Sequence, residues 1–353
     1  MCIVSYNRIP CVFTLLKYRK IGAMDNDINS TIPFNNESRG VMNTKGYPGV
    51  KATVICVIIT LNVIMNSLVI AVIARYPQLR EDRTTLFMFS LSVSDLAAGC
   101  TFMPFCAALC YGARHGVAKG VGLLPNVQAF TMWWFGFNSM YSLCWLTISK
   151  TIIILEPFKV EQRLSHTRCY IIIGLTWITG CVLASLNFTV NVKWNSVICA
   201  YDMPTNGRVK AYYMAYLLVG VALPVSLILY GTVRMFIVVV RTRRRISALE
   251  HSVAGGNNST GNAGFVTAQA IRSSKNVIII CIVSLLFNLI PFIYGVIGNI
   301  SSTPLAYVFT FVNLWLYESN TFVNSLLYLV LFKSVRHKVV DMLYAILIYI
   351  RAR

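Results

Sequence analysis

Two carboxylic acids lie inside long apolar stretches of this 353-residue chain, and they are the first candidates for chemistry. Asp95 is the single charge between Thr84 and Ala113, and Glu318 directly follows an uncharged run of residues 276–317. A buried acid needs a hydrogen-bonding partner, a counter-ion or a bound cation, because hydrocarbon does not solvate charge. Each acid is therefore a candidate for ion or ligand binding.

Neutral polar residues accompany Asp95 at fitting depths in the other apolar stretches. They are Asn66, Ser139, Asn320, Thr321 and Asn324. One carboxylate with several neutral oxygens suits a small hard cation such as sodium, which makes Asp95 a candidate metal ligand. The same residues also suit a hydrogen-bonded network that only holds helices together. The sequence leaves both interpretations open.

Lys150 ends an uncharged run that begins at Val121, in the sequence LTISKTIIILEPF. It lies seven residues before Pro157, and this place predicts the inner end of a membrane helix, where a lysine reaches cytosolic water. The buried acids belong to separate apolar stretches, and no nucleophile–base motif accompanies them. We therefore do not expect an enzyme.

Membrane helices are the elements that must position these residues. The chain is 56% hydrophobic and 12% charged, about half the charge of a usual soluble domain. Several stretches reach the roughly 20 residues that a membrane helix needs. They are 52–74, 84–113, 121–149, 169–192, 211–233 and the long run 276–317, which the segment 299–304 divides in two. The sequence predicts an all-α integral membrane protein, a seven-transmembrane helix bundle.

Three regions follow from this pattern. Residues 1–48 are expected to form an extracellular N-terminal tail, with Met24 as an alternative start. Residues 49–333 form the seven-helix membrane domain, and its third cytosolic loop spans about 241–275. Residues 334–353 form a cytosolic tail in which apolar residues recur at helical spacing beside Arg336, His337 and Lys338. This pattern predicts a short amphipathic helix on the cytosolic leaflet, in contact with membrane lipids.

The net charge of +19 at first resembles that of a nucleic-acid-binding protein. Most of the 31 basic residues, however, lie in the first, third and fifth connections and in the tail. This alternation follows the positive-inside rule and places the N-terminus outside a plasma membrane, with no nucleic-acid partner. Four glycosylation sequons agree with that orientation, at Asn29, Asn36, Asn187 and Asn299.

Six short patterns stand in register with the predicted spans. They are Asn66-Ser-Leu-Val, Leu91-Ser-Val-Ser-Asp95-Leu, Trp177, Pro224, Pro291 and Asn324-Ser-Leu-Leu-Tyr328. In type and order they resemble the landmark residues of rhodopsin-like (class A) G-protein-coupled receptors, over roughly residues 49–345. The resemblance implies a ligand cavity on the outer side and a cleft for a heterotrimeric G protein on the inner side.

The resemblance also assigns roles to individual residues. Asp95, Ser139, Asn320 and Asn324 match the sodium-pocket positions of the family, so sodium is a possible allosteric modulator and no other cofactor is expected. Lys150 and Tyr328 match positions that meet the G protein. The expected lining of the ligand cavity is Met132, Trp133, Tyr216, Phe292 and Glu318.

Several positions depart from the family pattern, and they concern activation. Ser149-Lys150-Thr151 replaces the Asp-Arg-Tyr triplet of the family, so Lys150 lacks both the guanidinium fork and the neighbouring carboxylate. Ser325 replaces a proline, which predicts that the seventh helix lacks the usual kink. Leu289 stands in place of a tryptophan and Thr232 in place of a tyrosine.

The ligand-binding positions differ as well. Met132 stands where amine receptors carry an anchoring aspartate, which argues against a biogenic amine. Glu318 matches the retinal-binding lysine of opsins, and a glutamate cannot form that Schiff base. Glu318 either faces a cationic ligand group or hydrogen-bonds Asn126, Gln128 or Tyr294.

A disulfide is also implied by the resemblance. Cys199 lies in the second extracellular loop, where the family forms a disulfide to the third helix, but Pro125 occupies the partner position. Cys110 or Cys106, at the outer end of the second span, is the available substitute. We take Cys110–Cys199 as the predicted pair.

Three functions remain at this stage. The first is a G-protein-coupled receptor for an unidentified non-amine extracellular ligand. The second is a receptor of the same fold that does not couple, such as a decoy, a scavenger or a dimer partner. The third is an ion-coupled transporter or channel that uses Asp95 and Glu318, although no internal repeat supports it.

Overall fold

A computed structural model describes ten parts of the chain. They are residues 48–112, 123–189, 193–195, 200–202, 211, 214–215, 217–253, 274–290, 293 and 304–351. All of them belong to one unit, Asn43–Arg353.

The described residues are almost entirely helical. The helices are α1 (Pro48–Arg75), α2 (Pro77–Arg80), α3 (Arg83–Cys100), α4 (Phe102–Gly112), α5 (Leu124–Leu155), α6 (Val160–Arg163), α7 (His166–Ser185), α8 (Leu223–Val253), α9 (Ser274–Ile290), α10 (Pro304–Leu331) and α11 (Lys333–Arg351). Two 3₁₀ turns, Pro157–Lys159 and Leu186–Thr189, and a π-helical turn, Leu218–Ala222, adjoin them. With α3 and α4 counted as one interrupted segment, α1, α5, α7, α8, α9 and α10 complete the seven segments of the predicted bundle.

Some boundaries differ from those that hydropathy predicts. The second apolar stretch breaks at Thr101, whose φ of −117° and ψ of −88° end α3 before α4 begins. Helix α8 continues to Val253, past residue 241, near which the sequence predicts the start of the third cytosolic loop. Hydropathy misses this extension because the segment is rich in arginine, which is a good helix former in water.

A small β-hairpin was not predicted either. Strands β1 (Lys193–Asn195) and β2 (Ala200–Asp202) pair antiparallel, with Trp194 opposite Tyr201. Three-residue strands carry too little periodicity for a pattern-based prediction.

Apolar length agrees with a membrane protein. By length and composition, four helical stretches in the described part of the chain are able to cross a bilayer: Lys51–Arg75, Arg83–Tyr111, Val160–Thr189 and Leu218–Thr242. Ser274–Ile290 is a shorter apolar helix. Large apolar side chains on α7 remain exposed, among them Leu175, Ile178 and Val182, as expected of a face that contacts lipid.

Helix α5 lies at the centre of the packing, against α3, α7 and α8. The largest cluster of buried side chains includes Phe87, Leu91, Leu143, Leu146 and Tyr328, so it joins α3, α5 and α10. Polar bonds add to this packing. Trp177 Nε1 on α7 donates to Ser90 Oγ on α3, at 3.1 Å, and Ser90 Oγ lies 3.0 Å from Ser142 Oγ on α5.

Helix α11 begins two residues after α10 ends and packs back against α1. Val335 and Val339 are buried together with Val72 of α1, and Tyr76, Leu79 and Phe332 cover them. Four large residues on another face stay exposed at spacings of three and four: Val340, Leu343, Tyr344 and Leu347. This amphipathic pattern agrees with the short amphipathic helix that the sequence predicts after the seventh span.

Gly136 provides a test of the close approach between α5 and α10. A Cβ at this position would collide with the hydroxyl of Tyr317, whereas a Cβ at Gly174 on α7 would meet nothing within 4 Å. We expect Gly136→Ala to lower the free energy of unfolding by about 1–3 kcal/mol, the usual cost of overpacking. The measurement is the thermal unfolding midpoint of the purified protein in detergent.

Gly174→Ala is the matched control. It makes the same change in a helix, and we expect no loss of stability, since alanine is the better helix former by about 1 kcal/mol. Equal midpoints for Gly136→Ala and the unaltered protein would contradict the close contact.

Candidate functional site

A buried polar cluster surrounds Asp95 near the middle of the bundle. The Asp95 side chain is 1% exposed, and the side chains of Ser139 on α5 and Asn324 on α10 interact with its carboxylate. Oδ2 of Asp95 makes no well-formed hydrogen bond with the part of the chain that the structure describes. The predicted grouping of Asp95 with Ser139 and Asn324 is therefore present in the fold.

A small cavity opens beside this carboxylate. Its volume is about 10 Å³, room for roughly one water molecule or one small ion. Asp95, Ser139, Asn320, Thr321 and Asn288 contribute polar groups to its wall. Asn320 Oδ1, like Asp95 Oδ2, has no hydrogen-bond partner among the described residues. A carboxylate and neutral oxygens around an ion-sized space fit a small hard cation.

Asn66, a predicted partner of Asp95, forms a different set of bonds. Its Nδ2 donates to the backbone oxygen of Thr321 at 2.9 Å and to that of Asn62 at 3.0 Å. Ser325 donates from Oγ to Asn66 Oδ1 at 2.5 Å, and the same Oγ lies 3.2 Å from Ser92 Oγ. Asn66 therefore holds α1 against α10, and the serine that replaces the family proline completes this junction.

Asn62, which the sequence analysis did not identify, binds the backbone of Asp95. Its Nδ2 donates to the backbone oxygen of Asp95 at 2.9 Å. Gly99, one turn after Asp95 on α3, allows this approach because a Cβ there would collide with the Asn62 side chain. The signal in the sequence was a second asparagine one helical turn before Asn66.

Asn324 is held from the side of α9. Ser284 donates from Oγ to Asn324 Oδ1 at 2.5 Å, and Asn288 Nδ2 donates to the backbone oxygen of Ser284 at 2.7 Å. The Asp95 cluster thus joins helices α1, α3, α5, α9 and α10.

Glu318 lies apart from this cluster, beside α4 and α5. It is 0% exposed, and neither carboxylate oxygen makes a well-formed hydrogen bond within the described chain. The Cys106 side chain interacts with both Glu318 and Gln128. Of the predicted partners, Gln128 is thus nearby, Asn126 instead donates to the backbone oxygen of Asn187 at 2.8 Å, and Tyr294 lies outside the described residues.

The predicted ligand residues on α5, Met132 and Trp133, are half-buried. Met132 packs against a buried cluster that includes Phe102 and Met103, and Met132 and Trp133 both pack against Ala129. Phe292 and Tyr216, the other two predicted lining residues, lie outside the described residues. The structure therefore places three of the five predicted ligand residues on the inner faces of α5 and α10.

Lys150 differs from its prediction. It does not reach into open water, since it is only 7% exposed, and its Nζ lies 3.4 Å from Oδ2 of Asp82. Asp82 also caps α3, where its Oδ1 accepts from the backbone N–H of Thr84 at 3.0 Å. The absent carboxylate of the family triplet is thus replaced by Asp82, which comes from a different connection.

Glu156 is occupied elsewhere, as expected from its place on the helix. It pairs with Arg163 at 3.0 Å and with Lys159 at 3.9 Å. A further ion pair between Arg83 and Glu161 joins the start of α3 to α6. Arg83 Nε also donates to the backbone oxygen of Leu164 at 2.8 Å. Tyr328, the second predicted coupling residue, is completely buried, with its ring 6.1 Å from that of Phe332.

The structure argues against one predicted glycosylation site. Asn187 is 4% exposed, and its Nδ2, the atom that a glycan would modify, donates to the backbone oxygen of Ala184 at 2.9 Å. Asn29, Asn36 and Asn299 lie outside the described residues. Cys110 is disulfide-bonded, and its predicted partner Cys199 lies outside the described residues, so the pairing stays a prediction.

Comparison with known proteins now identifies the family. The sequence model of the "7 transmembrane receptor (rhodopsin family)" matches residues 65–328, about three quarters of the chain. The chain belongs to the rhodopsin family of seven-transmembrane receptors. The matched region contains Asp95, Lys150 and Glu318, so the residues described above lie within the receptor domain.

Solved and curated relatives agree with this assignment. Squid rhodopsin superposes on the receptor with a TM-score of 0.69 at 17% identity, covering 85% of this chain and 86% of the other. The D(1A) dopamine receptor of Xenopus laevis is 25% identical over 238 residues, or 62% of this chain and 51% of that protein. The D(1A) dopamine receptor of Didelphis virginiana is 26% identical over 231 residues, 59% and 49% respectively. The alignments thus span about half the length of these two relatives.

Proposed function

We propose that this receptor is a plasma-membrane G-protein-coupled receptor, with its N-terminus outside, for an extracellular ligand that is not a biogenic amine. The ligand would enter between the outer parts of α4, α5 and α10 and favour one packing of the bundle over another. The rearrangement would open the inner side around Lys150 to a heterotrimeric G protein. The observation that supports this proposal best is the Lys150–Asp82 pair, a charged contact between two helices at the inner end of the bundle.

The ligand class depends on two positions. Met132 supplies no charge on α5, so an amine would lack the carboxylate anchor that the resemblance leads us to expect there. Glu318 is an intramembrane acid without a well-formed partner in the described chain, and it suits a cationic group of a larger ligand. The names of the relatives favour a second candidate, an amine ligand held by Glu318 instead.

A panel of amines, with dopamine included, separates these candidates. If the ligand is not a biogenic amine, dopamine should produce no response at 100-fold the concentration that activates a D(1A) receptor measured in parallel. A dopamine response that Glu318→Gln reduces by about 10-fold or more would establish the second candidate, since that change removes one charged contact of roughly 1.5–3 kcal/mol. Surface expression of each variant is measured alongside.

Sodium is proposed as an allosteric modulator at the Asp95 cluster. Asp95, Ser139, Asn320 and Asn324 would hold it, and its charge would neutralise the buried carboxylate. Asn62, Ser284 and Asn66 would position these four residues, because their hydrogen bonds join the helices that carry them. An ion-coupled transporter is the least supported alternative. Sodium-dependent currents that are abolished by Asp95→Asn would support it.

Coupling itself is tested by a panel of G-protein dissociation assays on the expressed receptor. We expect basal or ligand-driven dissociation for at least one G-protein class, at least a fivefold loss of that signal in Lys150→Ala, and retention in Lys150→Arg. The reason is that the cation, rather than the aliphatic stem, would meet the partner. Silence with every G protein at good surface expression would favour the alternative, a decoy, scavenger or dimer partner that does not couple.

A further inference from the structure

We propose that Cys106, Gln128 and Glu318 form a binding site for a zinc ion between α4, α5 and α10. The site shares no residue with the Asp95 cluster or with the Lys150–Asp82 pair. It goes beyond the proposed function, which pairs Glu318 only with a cationic group of a ligand. Zinc binding requires neither that ligand nor a G protein. We call this group of three side chains the thiol–acid site.

Three helices bring the side chains of the thiol–acid site together. The Cys106 thiol of α4 interacts with the carboxylate of Glu318 on α10 and with the side chain of Gln128 on α5. Cys106 and Gln128 are each 1% exposed, and Glu318 is 0% exposed. Because each group is carried by a packed helix, its position is set by the folded bundle.

The thiol–acid site contains more hydrogen-bond acceptors than donors. Neither carboxylate oxygen of Glu318 makes a well-formed hydrogen bond with the part of the chain that the structure describes, and the same holds for Gln128 Oε1. The Cys106 thiol has a single hydrogen and is a weak donor, so it cannot satisfy three oxygens. A buried acceptor without a partner is destabilising, and a bound cation would remove that cost.

The mixture of sulfur and oxygen atoms favours zinc over the other common cations. Zinc binds cysteine sulfur and carboxylate oxygen and is usually four-coordinate. Calcium and magnesium require six or more oxygen ligands, and a thiol does not suit them. Cys106 and Glu318 are ordinary zinc ligands, and the amide oxygen of Gln128 is the third. The fourth position would hold a water molecule or a donor atom of a ligand.

Charge and distance both agree with this assignment. When zinc binds, the thiol proton leaves to water, and the thiolate and the carboxylate together balance the two charges of the metal. A neutral complex is the kind that an apolar surrounding tolerates. Around a tetrahedral zinc with bonds of about 2.3 Å to sulfur and about 2.0 Å to oxygen, these two atoms lie roughly 3.5 Å apart. That separation is typical of a thiol and a carboxylate already in contact.

The thiol–acid site is close to one end of the bundle. Gln128 comes four residues after Leu124, where α5 begins, and Cys106 comes six residues before Gly112, where α4 ends. At 1.5 Å per residue these are depths of about 6 and 9 Å. In the proposed orientation this end faces outside, so zinc would enter from the extracellular side. It would compete there with an organic cation for Glu318.

Metal binding to the full-length receptor in detergent tests the thiol–acid site. The probes are zinc, measured by elemental mass spectrometry after dialysis, and cobalt(II), whose absorption band with a thiolate reports sulfur coordination. We expect about one zinc ion per receptor. Cys106→Ser and Glu318→Gln should each lower the affinity for zinc at least about 10-fold, since even the loss of an outer partner of a metal ligand costs this much. Cys106→Ser should also abolish the cobalt–thiolate band.

Cys144→Ser is the matched control, because Cys144 is equally buried, at 1% exposure, but lies in a different cluster. We expect zinc affinity within about twofold of that of the unaltered receptor and an unchanged cobalt band. Zinc should raise the thermal midpoint of the unaltered receptor and of Cys144→Ser, and leave that of Cys106→Ser unchanged, since a ligand stabilises only the fold that binds it. Midpoints without metal show whether each variant is folded.

Two results would overturn the zinc site. Equal zinc binding in Cys106→Ser and the unaltered receptor, with no cobalt–thiolate band in either, would mean an adventitious ion only. Loss of a ligand response in Glu318→Gln with unchanged zinc affinity would also reject the metal and leave the proposed function intact. Conversely, zinc binding that depends on Cys106 and Glu318 in a receptor that couples to no G protein would support the site and reject the proposed function.

Discussion

Replacing Asp82 by asparagine should raise basal signalling and lower the stability of the resting receptor. The change removes the partner of Lys150, a cation that is 7% exposed, and leaves it partly buried without a counter-ion. Breaking a fully buried pair costs about 3–5 kcal/mol and an exposed one at most about 1 kcal/mol. Since the Asp82 side chain is 45% exposed, we expect about 1–2 kcal/mol. Thermal unfolding and G-protein dissociation without ligand measure the two effects.

We expect the rise in signalling because the loss of the ion pair raises the free energy of the resting state. Under the proposed function Lys150 would leave Asp82 in order to meet a G protein, so the loss of the pair would destabilise the resting arrangement and spare the coupled one. A shift of 1–2 kcal/mol changes a two-state population roughly 5–30-fold. A basal signal unchanged by Asp82→Asn, at equal expression, would contradict a restraining role for the pair.

Two further variants separate the ion pair from the helix cap. Asparagine at position 82 still caps α3, whereas Asp82→Ala should cost about 1 kcal/mol more, because the backbone N–H of Thr84 loses its acceptor. In a Lys150→Gln background, Asp82→Asn should have little effect of its own. This double-mutant cycle isolates the pairwise energy from the single changes.

Replacing Ser325 by alanine should destabilise the junction of α1, α3 and α10. Ser325 is 0% exposed, and its hydroxyl donates to Asn66 Oδ1 at 2.5 Å beside Ser92 Oγ at 3.2 Å. Alanine leaves the Asn66 acceptor and the Ser92 hydroxyl donor buried with one partner fewer each, which costs about 1–3 kcal/mol. The expected result is a thermal midpoint several degrees lower in detergent.

Ser325→Pro restores the residue that the resemblance leads us to expect, and it should cost more than alanine. A proline removes the backbone N–H as well as the hydroxyl, and its ring meets the carbonyl of Thr321, four residues earlier, at about 3 kcal/mol or more. That carbonyl already accepts from Asn66 Nδ2 at 2.9 Å, so the bond to Asn66 offsets part of the loss. A midpoint for Ser325→Pro equal to or above that of the unaltered receptor would contradict the assigned role of the serine.

Ser92→Ala is the control for this series. It removes the longer contact of 3.2 Å and leaves the Ser325–Asn66 bond intact, so we expect a loss below about 1 kcal/mol. Equal losses for Ser92→Ala and Ser325→Ala would mean that the bond to Asn66 contributes little.

The Asp95 cluster could be anticipated in part from residue types alone. A carboxylate within an apolar stretch requires polar company, and Ser139 and Asn324 proved to be near it. Asn66 was assigned to the same group but bonds instead to Ser325 and Thr321. Depth along a span limits which residues can meet, but it does not determine which side of the helix each one faces.

The partner of Lys150 could not be anticipated. Asp82 precedes Lys150 by 68 positions and lies in the connection before α3. No sequence pattern relates the two residues. The neighbours of Lys150 along α5 offer no counter-ion, because Ser149 is uncharged and Glu156 pairs with Lys159 and Arg163.

The sequence by itself determined the number and order of the membrane segments and the family. Hydropathy and charge bias are sums over neighbouring residues. They can therefore be calculated from the sequence without knowing how the helices pack. Only the tertiary structure decided that Asp82 neutralises Lys150, that Ser325 joins α1 to α10 and that Glu318 faces Cys106. These contacts depend on the rotation and separation of helices, which the packing of side chains distant in the sequence determines.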